Sequence, residues 1–405
     1  MHIDVNNAFL SWEAIYLLNN GYKYDIRNSY AVIGGDETSR KGIVLAKSNS
    51  AKKLGIKTAE TLYQARQKCK VLRVYKPHFA FYNEMSNKLM ELIKKYTPDL
   101  EQASIDECYI DYTKVSYLYG DYMDFAKKLM TEIKETLGFT VNIGIANNKL
   151  CAKMASDFSK PFKIHTLFCN EIEEKMYILP IEDLFGIGKK TSLKLRNIGI
   201  NTIGDLANYN QDKLSIYFKN QAIKMINSAK GIDNSEVISE IIESKGLSHS
   251  TTLAKDLTQK KEVYLVLLKL SEILGREIRK MNKYAYVITT FLKNSDFVVT
   301  SHQKKLLTPT DSTDIIFKTS KILLDEMWKE EKIRLVGIRL NKLTDKRQEQ
   351  LSIFDKPSNN DDSLNKAIDS LKEKYGPNIM TSNFKNSNVW ITKWEKIKKR
   401  DKYLC

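Results

Sequence analysis

Two adjacent acids, Asp106 and Glu107, stand in SIDECYID (residues 104–111), a stretch that otherwise reads as a half-buried β-strand. Successive side chains of a regular strand point to opposite faces, so one of the pair would face a core that penalises unpaired charge. At a hairpin tip the backbone turns, and neighbouring carboxylates can converge. Converging anions need a divalent cation or a shared proton. A third acid, Asp4, ends the first strand in HIDVNN, where a flanking strand of the same sheet would bring it alongside the hairpin. Carboxylates around hard cations make a two-metal phosphoryl-transfer site. Acids at strand ends are also ordinary turn residues, and spacing alone leaves both readings open.

Two basic stretches could hold phosphate. GIANNKLCAKMASDFSKP (144–161) runs from a strand into a helix carrying Lys149, Lys153 and Lys160, point charges suited to a triphosphate or simply to a solvated face. FGIGKK (185–190) offers backbone N–H groups around Gly186 and Gly188 and the cations Lys189 and Lys190. That is a phosphate cradle or a plain turn.

These residues must be positioned by the surrounding elements. A short strand over residues 1–5 leads into a helix from Ala8 to Asn20, with Asn6 or Asn7 as a possible cap and Gly21 after its end. A helix over 79–95 stops ahead of Thr97-Pro98, and strand-like runs flank 102–107 as a hairpin. Phe125, Leu129, Met130, Ile133 and Leu137 recur at helical spacing, TVNIGIA (140–146) alternates as a strand, and another helix starts at Asn148. This order fits an antiparallel sheet with helices on one face. Residues 179–207 have helix–turn–helix texture, 232–243 read as an acidic linker, and a basic α+β domain follows. From Asp345 the chain turns polar, with a helix near 363–374 and one apolar cluster, QLSIF.

The 405 residues exceed what one core supports, so two to four domains are expected. No apolar run is long enough to span a membrane, and MHIDVNNAFL does not read as a signal peptide, so a cytoplasmic location is expected. Five scattered cysteines and five histidines show no zinc or disulfide spacing. The net charge of +16 lies mostly outside the N-terminal third: residues 1–148 carry +3, against +5 for 149–230 and +7 for 245–345. That distribution suits a polyanion gripped by outlying domains, although AT-biased coding also enriches lysine.

IDVNNAFLSWEA, SIDECYID, GIANNKLCAKMASDFSKP and LFGIGKKTSLKLRNIGI resemble, in order and separation, the motifs of Y-family translesion DNA polymerases, with the UmuC/DinB-like bacterial branch nearest. The resemblance covers residues 1–350. It implies an α+β multidomain, right-hand architecture: a ferredoxin-like palm (1–21 and 75–165), small fingers (22–74), a helix-hairpin-helix thumb (166–231), a linker (232–244) and an α+β little finger (245–345). A polar tail (346–405) follows. It implies template-directed addition of dNTPs to primer–template DNA by a monomer, with two Mg²⁺ ions, or Mn²⁺ as substitute. Asp4, Asp106 and Glu107 match the family's metal-binding carboxylates, and the Val5 carbonyl is a further ligand. Phe9 matches the steric gate that would meet a ribose 2′-OH; without the resemblance it reads as a core-facing helix residue. Lys52 and Lys160 match triphosphate contacts.

Three departures stand out. The first strand is short for the family, which implies a truncated or alternative start. Asn6-Asn7-Ala8 replaces an Asp-and-aromatic stretch, and Asn49 stands where a tyrosine is frequent. QLSIF, residues Gln350, Leu351, Ser352, Ile353 and Phe354, resembles the pentapeptide by which bacterial polymerases bind the sliding clamp. Two competing functions remain: a non-catalytic DNA-binding protein, against which the intact acids argue, and a cyclic-dinucleotide synthase suggested by GGDE (34–37). The second would need that signature on the central hairpin, which SIDE already occupies.

Overall fold

Strand β1 (His2–Val5) is buried at every position although two of its four residues are polar. Its place explains this: in the five-stranded sheet β5-β6-β1-β7-β8 it is the centre, antiparallel to both β6 (Glu107–Ile110) and β7 (Val141–Ile145). Strand β5 (Leu100–Gln102) completes the hairpin with β6. Strand β8 (Ile164–Thr166) runs parallel to β7, so the sheet is mixed rather than purely antiparallel. The reason is the helix between them, which returns the chain to the end where β7 began. The computed structural model describes residues 1–37, 42–240, 244–345, 369–371 and 374.

Period-two alternation sorts the sheet's side chains. Ile3, Val5, Cys108, Val141 and Ile143 enter one core with α1 (Ala8–Asn19), α4 (Phe79–Lys94) and α6 (Tyr122–Leu137), represented by Trp12, Leu89 and Ile133. His2, Asp4, Glu107, Asn142 and Gly144 therefore take the opposite face, and α7 (Lys149–Asp157) lies there. Helices thus flank both faces, not one as the sequence order suggested. Contact between β7 and α7 is close: a Cβ at Gly144 would sit 1.9 Å from the Ala152 carbonyl oxygen and 2.5 Å from the Ser156 nitrogen. Only glycine lets the helix lie this near the sheet.

A second sheet, β3-β2-β4, is built from β2 (Ala31–Gly34), β3 (Val44–Lys47) and β4 (Arg73–Tyr75). It packs against α2 (Asn49–Lys53) and α3 (Leu62–Lys68) through Val32, Val44, Ala51, Leu62 and Ala65. After one-turn helices α5 (Ser116–Tyr119) and α8 (Ile172–Lys175), the chain forms a helical cluster of α9 (Lys189–Asn197), α10 (Ile203–Ala207), α11 (Gln211–Phe218) and α12 (Gln221–Ala229). Leu150, Met154 and Ala155 of α7 join that cluster's core, so one helix serves both regions.

These elements belong to a unit spanning residues 1–242; a second unit spans 243–405. In the latter, β9 (Gly246–Leu257), β10 (Tyr284–Asn294), β11 (Val299–Thr310) and β12 (Ile333–Thr344) form an antiparallel sheet in the order β11-β10-β12-β9. Helices α13 (Lys260–Lys280) and α14 (Thr313–Met327) share its core through Leu267, Leu274, Ile316 and Leu324. Of the helix expected near 363–374, residues 369–371 and 374 are described and are helical. QLSIF lies outside the described residues.

Candidate active site

Register across the sheet centre sets Asp4 of β1 directly opposite Glu107 of β6. The Val5 amide donates to the Asp106 carbonyl (3.1 Å), which fixes the turn before β6 against β1. From α7, Lys153 Nζ reaches Glu107 Oε1 at 2.6 Å and Asp4 Oδ2 at 3.3 Å. Lys160 Nζ approaches the same Asp4 oxygen at 2.9 Å and Asp157 at 2.7 Å. Asp106 turns aside: its Oδ1 accepts from the Ser104 hydroxyl (2.7 Å), whose oxygen in turn accepts from the Asp106 and Glu107 amides.

The structure thus links Asp4 and Glu107 through Lys153, while the Asp106 carboxylate is bonded to Ser104 in the adjoining turn. Among the described residues no three acid, histidine or cysteine side chains are arranged to hold a metal ion. The expected convergence of three carboxylates is therefore not met, for two physical reasons. Lys153 stands between the first pair, and the Ser104 hydroxyl holds the third acid.

Burial pushes the Asp4 carboxyl up to about 6, against the pull of Lys160 and Lys153. Glu107 goes the other way, held well below the usual carboxylate range by the nearby His2 ring and by the Lys153 ammonium bonded to it. Burial opposes the Lys153 ammonium, yet the Glu107 hydrogen bond and the Asp4 charge outweigh it and keep its pKa raised. Two lysines on one buried carboxylate oxygen mark a place that demands positive charge. The oxygens present are hard donors of the kind a divalent cation takes, so the chemistry of the donor set fits such an ion, with Lys153 now holding the charge between Asp4 and Glu107.

Sequence spacing gave no sign of the layer beneath. His2, fully buried, accepts from or donates to Ser156 at 2.8 Å and lies 3.8 Å from Glu107 Oε2; burial lowers its pKa. Asn142, also fully buried, donates to the Ser156 and Ser159 carbonyls and accepts from the Lys163 amide. It thereby pins the loop that carries Lys160. Both are polar residues inside short apolar strands, and that was the available signal. Lys149, by contrast, is taken by Glu101 at 2.6 Å, away from the Asp4 cluster.

Phe9 is half-buried and stacks on Tyr82, with centroids 5.1 Å apart and planes at 18°, while Phe79 meets it edge-on. The Tyr82 hydroxyl donates to buried Glu13. Asn7 precedes α1 in the left-handed region (φ 48°) but makes no side-chain cap. Its amide instead donates to Asn49 Oδ1 at 3.2 Å, tying α1 to α2, the helix that carries Lys52. In the helical cluster, Gly186 has φ +92°, Gly188 caps α9, and exposed Lys189 and Lys190 open that helix. Glu37 of GGDE lies after β2 and is held by Arg66 at 2.7 Å, remote in the topology from the central hairpin. Among the described residues no helix is long and apolar enough to cross a membrane.

Comparison with known proteins follows this architecture. Residues 3–157 match the impB/mucB/samB family model and 244–353 match that family's C-terminal domain model. The chain is 46% identical over 382 residues to DNA polymerase IV of Clostridium acetobutylicum, covering 94% of this chain and 96% of the relative. It is 35% identical to DNA polymerase IV of Alkaliphilus oremlandii, covering 92% and 95%. A solved Y-family DNA polymerase chimera, Dbh-Dpo4(243-245)-Dbh, superposes with a TM-score of 0.74 at 26% identity, over 84% of this chain and 98% of the other. With a central sheet that sets two acids face to face beneath a lysine-bearing helix, the chain belongs to the impB/mucB/samB family of Y-family DNA polymerases.

Proposed function

We propose that this protein adds dNTPs to a primer 3′-hydroxyl on a DNA template and tolerates damaged templates. The observation that carries the reading is the Asp4–Glu107 pair at the sheet centre, with Asp106 in the adjoining turn. The five-stranded sheet and its helices serve as palm, residues 22–74 as fingers, 166–231 as thumb, 245–345 as little finger, and 232–244 as the linker. Asp4, Asp106, Glu107 and the Val5 carbonyl would hold two Mg²⁺ ions, or Mn²⁺ in their place. Metals held there would lower the pKa of the primer hydroxyl and neutralise charge on the departing pyrophosphate.

The chain's own residues do the rest. Lys160 and Lys52 bind the triphosphate as point charges. The Lys153 ammonium, now on Glu107 and Asp4, would be free to bind phosphate if those carboxylates held cations. Phe9, braced by Tyr82, presents its ring to the sugar and excludes a 2′-hydroxyl. Gly186, Gly188, Lys189 and Lys190 bind the DNA backbone without reading bases, as the excess of lysine over arginine also favours. Residues 350–354 bind the bacterial sliding clamp, and the enzyme works as a cytoplasmic monomer. Fingers built on a three-stranded sheet close little over the new base pair, which weakens shape checking.

Primer extension with each dNTP, on undamaged and abasic templates, with and without clamp, tests the reading. Mg²⁺-dependent extension that continues past the abasic site is expected. A purified chain that binds primer–template yet never extends it would sink the proposal.

A further inference from the structure

Strand β1 begins, and β6 and β7 end, beside a cavity of about 560 Å³, so Asp4 and Glu107 lie toward the opposite end of the same strands. Buried Ile110, Ile145 and Ala152 line it, together with the rings of Tyr112, Tyr122 and Phe168. Tyr122 and Phe168 meet edge to face with centroids 5.6 Å apart. The Tyr112 hydroxyl donates to the Gly120 carbonyl at 3.0 Å, which holds the loop carrying α5 next to the cavity. On that one-turn helix Tyr117 is 82% exposed and Leu118 58% exposed. Two large side chains with apolar surface thus face water beside a recess lined by aromatic rings.

The chain carries a net charge of +16, yet this recess is not basic. Of its lysines, Lys149 is paired with Glu101 at 2.6 Å and Lys114 with Asp99 at 3.2 Å. Its acids, Asp111 and Glu236, have no cation within ion-pair distance among the described residues. The Met1 amine donates to the Ile110 carbonyl; burial lowers its pKa to about 6, so it adds little charge at neutral pH. Uncompensated carboxylates repel a polyanion, which argues against DNA as the occupant. Ring faces and carboxylates both attract positive charge, and a guanidinium can stack on a ring while it bonds to an acid. A small free cation would leave Tyr117 and Leu118 uncovered, whereas arginine flanked by apolar residues covers them as well. We propose that this recess docks a partner protein through an exposed segment whose arginine enters the cavity and whose neighbouring apolar side chains cover Tyr117 and Leu118.

The test uses the full chain and the peptide acetyl-Leu-Arg-Leu-Arg-Leu-amide, with its double citrulline analogue as the neutral control. Calorimetry shows binding of the arginine peptide, about tenfold weaker binding of the citrulline analogue, and a similar loss when Asp111→Asn is combined with Glu236→Gln. Leu118→Ser also weakens the arginine peptide. Thermal unfolding at an unchanged temperature shows that these exposed or half-exposed changes leave the fold intact. No binding of the arginine peptide, equal binding of the two peptides, or equal binding by the unmutated and doubly substituted chains overturns the proposal. Competition by single-stranded DNA would place the recess on the path of DNA. A concentration-dependent dimer abolished by Leu118→Ser would assign the face to a second copy of this chain. Either result overturns it too.

Discussion

The Lys153 ammonium stands 2.6 Å from Glu107 Oε1, on the inner side of the sheet where the acids of β1 and β6 face each other. It also reaches Asp4, so a single side chain of α7 neutralises two carboxylates contributed by different strands. Gly144 makes this possible by admitting the helix to the sheet surface. On the proposed reading the same point is where a divalent cation would enter, and lysine and metal would compete for one place.

Competition predicts a distinct response of Lys153→Ala. Without metal, Glu107 loses its ammonium partner and Asp4 keeps only Lys160, and the variant loses about 3 kcal/mol of stability. Added Mg²⁺ then stabilises the variant more than the unmutated chain, because no ammonium has to be displaced. Thermal unfolding with and without Mg²⁺ reads both effects. Equal metal-induced shifts in the two chains would show that Lys153 and the ion occupy separate places.

Asp106 behaves differently because its carboxylate is partly exposed and bonded only to Ser104 among the contacts of the turn. Asp106→Ala leaves the fold and primer–template affinity intact, with stability changed by less than about 1 kcal/mol. Mg²⁺-dependent extension falls to background. Undiminished extension would remove Asp106 from the metal site.

The two acids of SIDE were legible because adjacent charges in an apolar strand conflict with period-two burial, and Asp4 followed from strand adjacency. Lys153 and Lys160 were visible only as a basic face: which acid each would meet depends on the β1–β6 register and on how close α7 lies to the sheet. His2 and Asn142 carry no spacing signal at all. Their partners, Ser156 and the loop at 159–163, are distant in sequence and come together only when α7 packs on β7. Strand β8 was missed for a related reason, since three residues of partial burial give almost no periodicity.

Asn142 supplies a positioning test. Its amide holds the Ser159 carbonyl at 2.6 Å and its oxygen accepts from the Lys163 amide, so Asn142→Ala frees the loop that aims Lys160 at Asp4. Stability falls by about 1–3 kcal/mol as buried partners lose their bonds. KM for dNTP rises as it does in Lys160→Ala, and the double variant is no worse than Lys160→Ala alone. Additive effects on KM would show that Asn142 acts independently of Lys160.

Phe9 stacks on a tyrosine anchored by a buried glutamate, so its ring has little freedom to swing, as the proposed steric gate requires. Phe9→Ala therefore admits ribonucleotides, at a stability cost of about 1–2 kcal/mol for a half-buried ring. Incorporation of a ribonucleotide relative to its deoxy counterpart is the measurement. Unchanged sugar discrimination would assign the ring to packing alone.

Asp4 gives the fold a pH-dependent cost whose sign is opposite to that of Glu107. Burial raises its carboxyl from 3.8 to about 6, so the folded chain holds this proton more tightly than the unfolded chain does. The penalty is absent where both states are protonated, grows as pH rises from about 4 to about 6, and is complete above that. Glu107, whose carboxyl is depressed, stabilises the fold above its unfolded pKa and loses that contribution only as pH falls. Asp4→Asn removes the first term while Lys153 and Lys160 keep Glu107 and Asp157 as partners. In metal-free buffer the variant is therefore more stable than the unmutated chain by about 1–3 kcal/mol at pH 7, and by much less at pH 4. A gain that is the same at both pH values, or a loss at pH 7, would mean that the two lysines fully offset the burial of the Asp4 charge.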